Sequence, residues 1–140
     1  MNDSDTEFSI SSESAYVACA RTSCWNCRTG IEVVCIYCES GMEAGEPLSQ
    51  FMVSDIRAMD AALVKQLGAW PGFKEGSGPT GATGEFANHC GQCGASQDEA
   101  ALHTEPDDPF FGVSRAEPGA VRLVPLVGKI RLDGDCHFEV

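Results

Sequence analysis

Basic residues are scarce in this chain. Nine Lys and Arg stand against 21 Asp and Glu, a formal net charge of −12 over 140 residues. Affinity for nucleic acid comes largely from cationic side chains that displace counterions from phosphates, so a chain this acidic is a poor candidate for binding DNA or RNA. No apolar run approaches membrane-spanning length, and no spanning helix is expected. Residues 1–14 carry neither a basic region nor an apolar stretch, so no signal peptide is expected either. Several catalytic signatures are also missing. His-Glu-x-x-His does not occur. His103-Thr104-Glu105 and His137-Phe138-Glu139 supply half of a zinc-deaminase pattern, but both follow the last cysteine pair, and no pair is preceded by Pro. The glycines around Gly76-Ser77-Gly78 lack the Lys-Ser/Thr of a phosphate loop. These absences argue against an enzyme, and no small-molecule substrate is evident.

What the chain does have is sulfur. Six of its eight cysteines form three Cys-x-x-Cys pairs: Cys24–Cys27, Cys35–Cys38 and Cys90–Cys93. A two-residue gap lets both sulfurs of a pair reach one ion from a tight turn, and a tetrahedral zinc ion takes four such ligands. Without a secretory leader, reduced thiols in a cytoplasmic, bacterial-type protein are expected rather than disulfides. The favoured site is one structural zinc ion held by Cys24, Cys27, Cys90 and Cys93, because each of these pairs follows a predicted strand. Cys35 and Cys38 leave a second site open, with Cys19, Cys136, His103 or His137 as partners, or could replace the first pair. Cys19 and Cys136 read otherwise as structural thiols, and His89 as a hydrogen-bonding neighbour of Cys90. Thioredoxin-like chemistry at Cys24-Trp25-Asn26-Cys27 would need a helix starting at the first cysteine, and Gly30 follows too closely for one.

Along the chain, residues 1–14 read as a flexible acidic tail. Ala15–Arg21 reads as a short strand, with Tyr16 and Val17 followed by small residues, and Ile31–Tyr37 as a strand rich in β-branched and aromatic residues. Gly41–Pro47 reads as a loop. Met52, Ile56, Met59, Leu63 and Leu67 recur at spacings of three and four, which predicts an amphipathic helix within Ser49–Trp70, closed by Gly68 and Pro71. Pro71–Gly84 reads as a glycine-rich link, Glu85–His89 as a strand, Gln97–Leu102 as a short helix or strand, and Pro106–Gly112 as a turn carrying Phe110 and Phe111. Val121–Leu132 and Cys136–Val140 read as strands joined by a hairpin turn at Asp133-Gly134.

Cys24-Trp25-Asn26-Cys27, then Asn88-His89-Cys90-Gly91-Gln92-Cys93-Gly94, then Asp98, Leu102-His103 and Pro109-Phe110-Phe111 resemble the pattern of a group of bacterial cysteine-rich, zinc-ribbon-like proteins. The resemblance implies that the two matching pairs, Cys24, Cys27, Cys90 and Cys93, are metal ligands. It brings no activity with it, and the Cys35–Cys38 pair departs from the pattern.

Together these readings predict an α+β fold in which residues 15–140 form a single domain: a small antiparallel sheet, one amphipathic helix and a four-cysteine zinc ribbon. The expected function is non-enzymatic. An acidic, metal-pinned surface would bind a basic protein, and an immunity-type inhibitor of a toxin enzyme is one concrete form of that. A nucleic-acid-binding zinc-ribbon regulator and a thiol-redox protein are the alternatives.

Overall fold

The computed structural model describes residues 8–75, 86–97 and 121–138. Three long strands open it: β1 (Ile10–Ser23), β2 (Gly30–Glu43) and β3 (Glu46–Met59). They are followed by a short helix, α1 (Ala61–Leu67), a small ribbon of β4 (Phe73–Glu75) and β5 (Phe86–Asn88), and two closing strands, β6 (Arg122–Pro125) and β7 (Ile130–Phe138). Antiparallel ladders join β1 to β2, β2 to β3, β3 to β7, and β7 back to the start of β1. That circuit closes a four-stranded barrel, with β6 added alongside β1. The fold is therefore mostly β, and the expected α+β zinc ribbon with an amphipathic helix is corrected.

The correction rests on Ser49–Met59. Both faces of β3 are covered: Phe51, Met52, Val53 and Ser54 are all buried. A strand buried on both faces loses the alternation that identifies a strand, and its apolar residues then fall by chance at helical spacing. Helical periodicity holds only for Leu63 and Leu67, which turn the inner face of α1 onto the barrel. Asp60 caps this helix by accepting a hydrogen bond from the Leu63 N–H. Gly41–Pro47 is likewise strand rather than loop, apart from a tight turn at Ala44 and Gly45.

β7 runs unbroken through Asp133-Gly134, so the expected hairpin turn is absent there. Gly134 meets a different need. β3 bulges between Ser54 and Ala58 opposite this point, and a Cβ on Gly134 would lie 2.7 Å from Val53 and 2.9 Å from the Ser54 carbonyl. Ile10–Ser14 belong to β1, with Ile10 fully buried.

The barrel interior holds Ile10, Val17, Ile36, Phe51, Val53, Ile130 and Leu132, and extends to Leu63 and Phe73. A second cluster lies on the opposite face of β1 and β2, where Ala18, Ala20, Val33 and Cys35 join Cys24 and Cys90. Phe110, Phe111, His103 and Glu105–Asp108 lie outside the described residues, as does the tail before residue 8.

Candidate metal centre

The β1–β2 hairpin ends in a turn that carries Cys24 and Cys27. Within it the Arg28 N–H donates to the Cys24 carbonyl, the Cys24 N–H donates to the Thr29 carbonyl, and the Asn26 N–H points at the Cys24 sulfur. The turn after β5 repeats this wiring. The Gly94 N–H donates to the Cys90 carbonyl, the Cys90 N–H to the Ala95 carbonyl, and the Gln92 N–H points at the Cys90 sulfur. Each turn closes on a residue of positive φ, Arg28 at 67° and Gly94 at 79°. Glycine takes that conformation freely, whereas Arg28 adopts it against the steric preference of its Cβ.

The two matched turns face each other. Sγ of Cys24 lies 3.6 Å from Sγ of Cys93, and Sγ of Cys27 lies 3.6 Å from Sγ of Cys90. All four sulfurs fall within 4.8 Å of one another, the one group of three or more potential ligands among the described residues that does so. A tetrahedron of zinc–sulfur bonds of about 2.3 Å has edges of about 3.8 Å, close to the two 3.6 Å separations and within the 4.8 Å bound on all of them. These separations are far too long for a disulfide, with its S–S bond of about 2.05 Å. Cys24 and Cys90 are buried, while Cys27 and Cys93 face solvent.

The surroundings favour thiolates at Cys24 and Cys27. The backbone N–H of Cys27, helped by that of Asn26, the Gln97 amide and the Cys93 thiol, draws the Cys24 pKa down to about 6 against the opposing effect of burial. Thr29 lowers that of Cys27, through its side chain first and its backbone second. At Cys90 the N–H groups of Cys93 and Gln92 pull the same way. Burial and the sulfurs of Cys27 and Cys24 oppose them, and the pKa ends up raised. Four converging sulfurs thus cannot all ionise cheaply without a cation among them, and a divalent ion would supply that charge.

Two buried amides support the cluster: Asn88, which the sequence offered as part of a cysteine motif but without a role, and Gln97, which it did not single out. Gln97 sends its Nε2 to the Cys24 sulfur at 3.4 Å and to the Ala95 carbonyl at 3.0 Å, and its Oε1 accepts from the Trp25 N–H. Asn88 bridges β5 to β2: its Oδ1 accepts from the Val34 N–H at 2.8 Å, and its Nδ2 donates to the Val34 carbonyl at 2.9 Å. Trp25 is 62% exposed, and its indole N–H bonds the Ser96 carbonyl across the two turns. His89 turns Nδ1 to the Ala87 carbonyl at 2.9 Å.

Among the described residues the other cysteines form no second group of three or more potential ligands. Residues 35 and 38 fall on opposite faces of β2, so Cys35 and Cys38 cannot grip one ion from a turn. Cys35 joins the outer cluster, while Cys38 and Cys19 lie in the barrel interior with Cys136 packed against it. Burial pushes the Cys38 thiol up to about 12, and burial together with the Glu43 carboxylate does the same to Cys136.

No family model, no curated protein and no solved structure matches this chain. No helix among the described residues is long and apolar enough to cross a membrane.

Proposed function

We propose that this protein is a non-enzymatic interaction module, organised by one structural zinc ion, that binds a basic protein partner. The observation that carries the reading is the closed four-sulfur cage. All four ligands come from the chain, which leaves no coordination position for a substrate or an activated water. The ion ties the β4–β5 ribbon to the end of the β1–β2 hairpin across 63 residues of sequence, and so closes a long loop. Zinc is favoured by the four-thiolate donor set, by the tetrahedral spacing and by the resemblance to the cysteine-rich group. A zinc–tetrathiolate centre adds further negative charge to a chain already at −12. That field steers cationic partners inward and disfavours phosphate backbones. An immunity-type inhibitor that covers the cationic site of a toxin enzyme fits these properties.

The test has two arms. Metal analysis of the purified protein should return one zinc ion per chain. Capture on the immobilised zinc-loaded protein at low ionic strength should then retain a basic protein, which moderate salt releases. Binding of duplex or single-stranded nucleic acid in its place, or no retained basic protein, would overturn the interaction reading.

A further inference from the structure

Among the described residues, β2 has an open edge beside the cysteine cluster. Along an antiparallel strand the backbone N–H and C=O of alternate residues point to opposite neighbours. Asn88 takes both backbone groups of Val34, which faces Cys19 across the β1–β2 ladder. The even-numbered residues of β2 therefore point their backbone groups away from β1. β3 occupies that edge from Ile36 onward, where Ile36 faces Val53, and Asn88 occupies it at Val34. One step further, the N–H and C=O of Glu32 point the same way. Among the described residues, neither a strand ladder nor a backbone or side-chain hydrogen bond covers them.

Glu32 lines a cleft of about 330 Å³. Trp70 and Pro71, from the turn after α1, form one wall, and His89 and Gln92, on either side of Cys90, form another. Glu32 is the one charged residue among those lining it, and no Lys or Arg does so. The Glu32 carboxylate is partly exposed and reaches Arg122 at 3.4 Å, a surface pair that costs little to exchange for another cation.

We propose that this edge receives an extended, basic segment of the partner protein, which adds a short strand to β2 at Glu32. The main-chain groups of Glu32 supply the register, its carboxylate takes a Lys or Arg side chain, and the Trp70 wall takes the neighbouring side chain on that face. Strand addition of this kind needs an unpaired edge, room beside it and charge of the right sign, and the cleft offers all three. This inference rests on the reading of the chain as a module for a basic partner.

The test is amide NMR on the zinc-loaded full-length protein, titrated with an octapeptide of alternating lysine and valine and, separately, its glutamate–valine counterpart. The lysine peptide should shift the amides of Gly30–Val34, the Trp70 indole and Gln92, with an affinity that falls as salt rises. The glutamate peptide should shift none of them. Glu32→Pro removes the edge N–H and should weaken the lysine peptide by about tenfold or more. If that variant does not fold, a lysine peptide N-methylated at alternate residues, unable to donate along one edge, should bind correspondingly weakly to the unaltered protein. Shifts elsewhere on the surface, no shifts, or equal binding of both peptides would overturn the edge. So would slow hydrogen exchange of the Glu32 amide in the free protein, since another segment of the chain would then hold it. A basic partner whose capture Glu32→Pro leaves unchanged would remove the edge and keep the interaction reading. Failure to capture any basic partner removes that reading itself.

Discussion

Replacing Asn88 by alanine should be among the most damaging single changes outside the cysteines. The Asn88 amide makes two hydrogen bonds, at 2.8 and 2.9 Å, to the N–H and C=O of one residue, Val34. Asn88 is 2% exposed and Val34 is 3% exposed, so water cannot replace what is lost. A buried hydrogen bond contributes about 0.5–1.5 kcal/mol net, and a buried group left without a partner costs about 1–3 kcal/mol. With both groups of Val34 stranded, Asn88→Ala should destabilise the zinc-loaded protein by about 3 kcal/mol. Urea denaturation at constant excess zinc would measure this without confounding it with metal loss. Asn88→Asp keeps an acceptor for the Val34 N–H but sets a carboxylate against the Val34 carbonyl. It should be similarly harmful at neutral pH and recover as the pH falls and the carboxyl gains a proton to donate. Hydrogen exchange at the Val34 amide should accelerate in both variants. A change within about 0.5 kcal/mol for Asn88→Ala would refute the claim that this amide couples the ribbon to the barrel.

Three further outcomes follow from the same structure. Gln97→Ala removes the Nε2 contact to the Cys24 sulfur and should weaken metal affinity by about 10–100-fold in a chelator competition, with the strand content unchanged. Gly134→Ala forces a Cβ to within 2.7 Å of Val53, and overpacking of this kind should cost about 1–3 kcal/mol in denaturant unfolding. Cys38 and Cys136, with pKa values pushed up to about 12 from an ordinary 9.0, hold their protons more tightly when folded. Their contribution is fully present below pH 9.0 and is lost as the pH rises toward 12, so stability should decline across that alkaline window, and Cys38→Ala should flatten the decline.

Much of the cysteine cluster was legible in the sequence, because a Cys-x-x-Cys pair encodes its own turn and four sulfurs have few ways to be satisfied. β1 from Ala15 onward and the first half of β2 were legible from Val17, Val33, Val34 and Ile36, but Ile10–Ser14, read as tail, were not. β3 was not, since its covering on both sides erased the alternation around Phe51–Ser54. Asp133-Gly134 carried a turn signal, yet the glycine serves a close approach of β3 that only the folded chain creates. Asn88 was visible as a motif residue but not as a bridge, and Gln97 gave no signal. Their partners, Val34 and Cys24, lie 54 and 73 residues away. The same limit applies to barrel closure, which depends on β7 reaching both β3 and the start of β1.

Counting the metal tests the central claim most directly. Native mass spectrometry with thiol titration should find one zinc ion per chain and four thiols that become reactive as a chelator removes it, while the buried Cys19, Cys35 and Cys38 react only on unfolding. Cys24→Ser and Cys90→Ser should each abolish that stoichiometry, and Cys35→Ser should leave it intact. A metal-free protein with all eight thiols reactive once unfolded, or zinc retained at full affinity after Cys24 and Cys90 are both replaced, would contradict it.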